Sequence, residues 1–370
     1  MDAYGEKMDV RIFTIPLCDV EYNPRAFDTN NHPAHQLPRG RDERPVEYPE
    51  EYRRIMARTH YSRWKALKKL EHETELELTS VDCQTICEAG MSGALTLRLP
   101  ESHREEIECI AGRMAMPRPP YFARLDSCST KGGSGGVGPF HTPMDVLIAL
   151  VTSLRCCDTL KRAVRERISM TLYLLPWRDD ISIDREFRAF VRDWRVTAIS
   201  QYNWTEDCGW SAREHALPTI AHNIARLVGD IREQNDQLSL DLPSDFCADV
   251  FCRPDLSVEL IELNSYGAQM AAGSCLFHWI TNYDQLYGLC NASGPFEVEF
   301  RVVRPTNESE EALLELEGRG FRSRGEEMDT LLANVRDKLA ALDDGDGDEV
   351  SSHVERDEAS EIANEPPDRL

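Results

Sequence analysis

At 370 residues, with 41% hydrophobic side chains and six tryptophans, the chain has material for a large core and two or three structural units. Its net charge of −23 argues against nucleic acid as a main partner, and no basic patch interleaved with aromatics stands out. No apolar run nears the ~20 residues that cross a bilayer, and the opening MDAYGEKMDVRIF has no apolar signal-peptide core, so neither a membrane partner nor export is expected.

Residues 1–52 are rich in Pro, Asn and Arg and read as a largely irregular extension, with VRIFTIPL as their one strand-like stretch. The ordered domain is expected from Glu51 or residue 53 to 305. EEYRRIMARTHYSRWKAL reads as helix, TELELTSVD as strand, and PESHREEIECIAGRM as an amphipathic helix. PYFARLD is an apolar strand running into the glycine-rich SCSTKGGSGGVGPF. A helix follows, with Thr142 as cap, Pro143 in the first turn and Asp145 at the positive dipole end. A second helix covers about 156–166.

The strands ISMTLYLLPW, REFRAFVR and RVTAISQYNW come next, then a helical stretch that breaks at Pro218. A hairpin over 246–264 and a glycine-bearing loop lead to CLFHWITNYDQLYG. Residues 306–370 hold 20 acidic and 7 basic side chains, so −13 of the net charge lies there. That segment reads as a mostly disordered tail with one amphipathic helix over 326–342. The twelve cysteines lack zinc-type spacing and mostly sit in apolar stretches, which points to reduced thiols in a cytosolic protein.

The chemistry concentrates in three places. In SVELIELNS, side chains alternate, so Val258, Leu260, Glu262 and Asn264 are expected on one face. Glu262 and Asn264, with Asp249 from the preceding strand, offer hard oxygen donors to one divalent ion, of the kind magnesium takes alongside phosphate and water. An exposed strand end would also carry an isolated E-x-N. The second place is STKGGSGGVG, residues 129–138, where backbone N–H groups and Lys131 suit a phosphate; it is neither a Walker A loop nor a Rossmann turn, and a surface loop would look the same. The third is Glu186 and Arg188, at i and i+2 on one strand face. They fit either a surface ion pair, worth ~0–1 kcal/mol, or an arginine held by Glu186 for a phosphate or carboxylate. His141 and His278 read as cap or core histidines, and no partnered Cys, Ser or His nucleophile appears.

YFARLDSCSTKGG, EFRAFV with AISQYNW, FCADVF with VELIELNSYG, and SCLFHW occur in an order that resembles the cell division cycle 123 family, of ATP-grasp fold. HYSRWKALKKLEHETELELTS also looks like that family's N-terminal segment, and the likeness runs over residues 53–290. It implies an α+β fold in which two subdomains, about 53–175 and 176–305, clamp a nucleotide between mixed and antiparallel sheets. It further implies ATP near Arg124, Lys131, Arg188 and Gln201, adenine against the segment ending in Trp177, and Mg²⁺ on Asp249, Glu262 and Asn264. The implied role is assembly of eukaryotic translation initiation factor 2 through its gamma subunit, by a cytoplasmic monomer.

The chain departs from the family pattern in a longer glycine loop and at four further places. Arg124 stands for a Lys, Leu175 and Pro176 for basic residues, Tyr202 for an Arg, and Glu262 for an Asp. Two other functions fit the same parts: a ligase joining a carboxylate to an amine through an acylphosphate, and a scaffold that has lost nucleotide binding. ADP release that depends on an amine acceptor would mark the first, and absence of any ATP-induced thermal shift the second.

Overall fold

The computed structural model describes residues 8–38, 45–68, 72–290 and 296–307. Two sheets organise them. Three strands, β2 (Thr74–Leu78), β3 (Tyr121–Leu125) and β4 (Met170–Pro176), form an antiparallel sheet in the order β2-β4-β3. The larger sheet runs β1-β9-β6-β5-β7-β8. Its members are β1 (Met8–Pro16), β5 (Glu186–Arg192), β6 (Arg195–Gln201), β7 (Phe246–Cys252), β8 (Val258–Ser265) and β9 (Phe296–Arg304). β9 pairs in parallel with both β1 and β6, and the remaining pairs are antiparallel. A small antiparallel sheet beside a larger mixed one is an α+β arrangement with mixed and antiparallel sheets, as the resemblance implied.

Strand alternation divides the interior. On β4, Leu172 and Leu174 join the core beneath α4 (Ser80–Thr96), α5 (Arg104–Ala111), α6 (Pro143–Thr152) and α7 (Leu154–Glu166). Tyr173 and Leu175 point the other way, into a cluster with Tyr61 and Trp64 of α3 (Tyr61–Lys68). That cluster continues into one face of the six-stranded sheet, covered by α8 (Leu217–Leu238). The opposite face of the large sheet packs Phe190, Ala198 and Cys247 against Tyr266, Phe277 and Trp279. Arg124 on β3 pairs with Tyr173, so it too faces away from the helical layer.

Several local expectations are met. Thr142 accepts from the Asp145 N–H while the Asp145 carboxylate accepts from the Thr142 N–H, and Pro143 opens α6. All twelve cysteines are free thiols. No helix among the described residues is long and apolar enough to cross a membrane.

Other expectations change. The helical stretch before residue 69 is two helices, α2 (Glu50–Ala57) and α3, broken at Arg58–His60. The strand read over TELELTSVD ends at Leu78, because Thr79 and Asp82 build a capping box that starts α4. Within residues 1–52 the strand-like VRIFTIPL is β1, with Met8 buried in the core, and the segment beyond it is more ordered than expected. Asp28, Asn31 and His32 also donate backbone N–H groups to carbonyls of residues 268–277. FEVEFRVVR, which drew no strand reading, is β9 and lies inside the large sheet. All described residues lie in one unit, Met1–Glu327. The helix expected over 326–342 and the acidic tail from residue 308 lie outside the described residues.

Candidate functional site

The three oxygen donors do come together, through a register that strict alternation does not give. Asp249 on β7 is the cross-strand partner of Glu262, and Cys247 that of Asn264. Between Asp249 and Val250 the register shifts, so that Val250 pairs with Leu260 and Ile261 is the extra residue of a bulge. Leu260 and Leu263 therefore enter the core against α8. Glu262 and Asn264 turn to the other face with Asp249. The expectation that Leu260 and Glu262 share a face is overturned by this one inserted residue, since each inserted residue reverses side-chain parity.

Each carboxylate is already bound. Arg188 donates from Nε to Asp249 Oδ1 at 2.7 Å and from Nη2 to Oδ2 at 2.8 Å, and Asn264 Nδ2 donates to Oδ2 at 2.9 Å. Arg188 Nη1 donates to the Gly273 carbonyl at 2.7 Å. Arg188 and Asp249 are both buried, at 7% and 2% exposure. Arg188 is thus held by Asp249, directly opposite on β7, and not by Glu186 as its i and i+2 spacing suggested. Burial lifts the Asp249 carboxyl above the usual aspartate range, against the pull of Arg188. Both carboxylate oxygens accept from a guanidinium that does not deprotonate, so the geometry holds the ionised form at neutral pH.

Glu262 meets the small sheet. Arg124 Nη2 lies 2.8 Å from Glu262 Oε1. The guanidinium sits over the Tyr61 and Trp64 rings, 4.9 and 5.7 Å from their centroids. Burial would raise the Glu262 carboxyl, but Arg124, with lesser help from Arg155 and Arg188, holds it below the usual range. Glu186 has no such partner among the described residues. Burial and the nearby Asp249 push its carboxyl up to about 7, with Lys131 opposing.

Lys131 and Arg188 both approach Tyr202, at 5.4 and 5.1 Å from the ring centroid. The tyrosine that replaces an arginine thus gathers two cations, one from the glycine loop. The loop itself differs from the expected phosphate cradle. Gly133, Gly136 and Gly138 donate their N–H groups to Thr130, Gly133 and Gly135 carbonyls, and Ser134 donates to Thr152 Oγ1. A Cβ on Gly133 would lie 2.5 Å from the Ala149 carbonyl, so this glycine serves close packing on α6. Of the loop, Lys131 is what remains directed at the cluster.

Two other expected residues serve the frame. Gln201, across from Phe187 on β6, lies on the sheet face opposite Arg188, whose partner is Ser200. Its amide donates to the Asn203 and Glu206 carbonyls at 2.7 and 2.6 Å, and its oxygen accepts from the Val303 N–H at 3.2 Å. It closes the 202–208 turn and does not reach the cluster. Trp177 follows β4; its indole N–H donates to Asp179 Oδ1 at 2.8 Å, and its backbone N–H to the Pro120 carbonyl. His278 Nδ1 accepts from the Ile280 and Thr281 N–H groups, as a capping histidine does.

Sequence reasoning passed over Tyr61, Trp64 and Lys68. Their i, i+3, i+7 spacing on one helix was visible, and puts an aromatic shelf and a cation on a single face. It also passed over Arg178, which pairs with Glu259 and Asp180 at the edge of the same region.

A magnesium ion would meet two open oxygen donors here. Glu262 Oε2 and the Asn264 amide oxygen carry no hydrogen bond among the described residues, whereas Asp249 already accepts three. No group of three His, Cys, Asp or Glu side chains among the described residues is arranged to hold a metal. The set fits a cation that takes few protein oxygens and completes its shell with water and phosphate, with Glu262 and Asn264 as its direct ligands and Asp249 as their anchor.

Residues 145–317 match the family model described as D123. No curated protein gives a significant match. Among solved structures, Cdc123 from Schizosaccharomyces pombe is similar at a TM-score of 0.47 and 17% identity, over 67% of this chain and 97% of that one. Its C-terminally truncated form gives 0.48 and 18% over the same shares. An ATP-grasp ligase from Chryseobacterium gregarium, associated with RiPP and in complex with ADP and a leader and core peptide, gives 0.25 and 14%, over 68% of this chain and 64% of that one.

Proposed function

We propose, for a chain that belongs to the D123 (Cdc123) family, that the cluster between its two sheets binds ATP with Mg²⁺, and that the nucleotide-bound form acts as an assembly chaperone for translation initiation factor 2 through the gamma subunit. The observation that carries the nucleotide reading is the surplus of cations around two paired carboxylates. Arg124 and Arg188 neutralise Glu262 and Asp249, and Lys131 stands beside them without a carboxylate partner among the described residues. A polyphosphate accompanied by one divalent ion suits that balance. Arg188 orients the phosphates from a fixed position, Lys131 brings charge from the loop, and Trp177 lies near the adenine. The metal supplies charge neutralisation between phosphate and Glu262. The chaperone role rests on family membership, and a cytoplasmic monomer is the form in which we expect it.

The test is a thermal-shift titration of the full chain with ATP, with and without Mg²⁺. Stabilisation of about 2.7 kcal/mol is expected at a hundredfold excess over Kd. Glu262→Gln, which keeps size and leaves the Asp249–Arg188 pair intact, is expected to lose the Mg²⁺-dependent increment. An unchanged increment would remove Glu262 from the metal site. Co-purification with the gamma subunit in the presence of ATP supports the chaperone role, whereas ADP release that requires an amine acceptor replaces it with ligation.

A further inference from the structure

The cations of the cluster are unequally committed. Arg188 belongs to Asp249, Arg124 to Glu262, and Arg178 and Arg253 to Glu259. Lys68, the last residue of α3, has no carboxylate within ion-pairing distance among the described residues. It shares a helix face with Tyr61 and Trp64, both fully buried. Trp64 carries two cations, with Arg124 5.7 Å and Lys68 Nζ 5.6 Å from its ring centroid. Lys68 is half-buried. A half-buried ammonium beside a guanidinium costs free energy through lost hydration and repulsion. Burial first, and then Arg124, push Lys68 down to about 8; Glu262 and Glu259 oppose this, and Arg178 adds to it. An anion that touches both cations relieves the cost.

Arg124 alone is poorly free to serve such an anion. Its Nη2 is on Glu262 and its Nε donates to the Leu125 carbonyl at 3.2 Å, which leaves Nη1. Lys68 has all three ammonium donors available, on a flexible stem.

We infer that Lys68 and Arg124, which both approach the Trp64 ring, form a phosphate-binding pair in which the Lys68 ammonium is the main point-charge contact to the polyphosphate of the nucleotide. The inference rests on the nucleotide reading above. It assigns to a helix residue the point charge that Arg124, tied to Glu262, does not deliver.

The test compares the full-length chain with Lys68→Ala and Lys68→Arg. The exposed Lys161→Ala serves as control, because Lys161 pairs only with Asp158 on its own helix. Titration calorimetry with ATP, ADP and adenosine is expected to show at least a tenfold loss of ATP affinity in Lys68→Ala, with adenosine affinity unchanged. Lys68→Arg is expected to keep most of the ATP affinity. Between pH 7 and 9 the wild type loses ATP affinity as the ammonium deprotonates, and Lys68→Arg loses less; the facing Arg124, Arg178, Glu259 and Glu262 are common to both. Equal ATP affinity in Lys68→Ala and wild type overturns the inference. If the wild type binds no nucleotide, the proposed function fails, and inorganic tripolyphosphate tests the pair alone. Its protection of wild type but not Lys68→Ala in thermal shift supports the pair, and equal effects on both overturn it.

Discussion

Arg188 and Asp249 share two hydrogen bonds in a dry interior, and each is the other's reason for being ionised there. Such a pair is weak evidence for stability, since desolvation cancels much of the attraction, but breaking it is expensive. Arg188→Met is expected to cost about 3–5 kcal/mol by leaving Asp249 buried and unpaired. The double variant Arg188→Met with Asp249→Leu is expected to recover much of that loss. Urea unfolding of the two single variants and the double variant measures the coupling, and additive costs would show that the residues are not a pair. The residue types and the basic–acidic alternation of β5 were legible in the sequence. The partner was not: Glu186 is two residues away in the chain, whereas Asp249 is opposite across a strand pairing that no local pattern announces.

At the scale of elements, the helical layer on the small sheet depends on two glycines of α4. A Cβ at Gly93 would lie 2.6 Å from Val151 Cγ1 and 3.0 Å from the Arg98 carbonyl, and one at Gly90 would lie 2.4 Å from Cys157 Sγ. Gly93→Ala is expected to destabilise by about 1–3 kcal/mol through overpacking. Gly112, after α5, has right-handed helical geometry and room for a Cβ, with its nearest contact at 3.5 Å. Gly112→Ala is expected to be neutral or to stabilise by up to about 1 kcal/mol, through the unfolded state. Denaturant midpoints at constant slope read both effects. The cap of α6 was readable because it is a contact between neighbours in sequence. Helix α4 was not read, because the strand before it runs directly into its capping box.

At the scale of the whole molecule, β1 and β9 join the two ends of the described chain into one sheet edge. Met8 is buried and Val10 and Ile12 pack against the same core, so the strand-like stretch of an otherwise polar, proline-rich segment is part of the fold. Deleting residues 1–16 is expected to cost at least about 3 kcal/mol in lost apolar burial and to uncover the edge of β9 for association. A lower urea midpoint and larger species on gel filtration check this; an unchanged midpoint and elution volume would show that β1 is dispensable.

By itself the sequence determined most strands and helices, the cap of α6, and the residues of opposite charge that meet at the junction of the sheets. These follow from periodicity and from contacts a few residues apart, which physics makes local. Only the tertiary structure decided that a bulge at Ile261 turns Glu262 away from Leu260, that Asp249 takes Arg188, that Gln201 faces the frame, and that Lys68 shares Trp64 with Arg124. Each of those depends on strand register or on packing between distant segments, where one inserted residue reverses a face and where the lowest-energy partner is the one nearest in space.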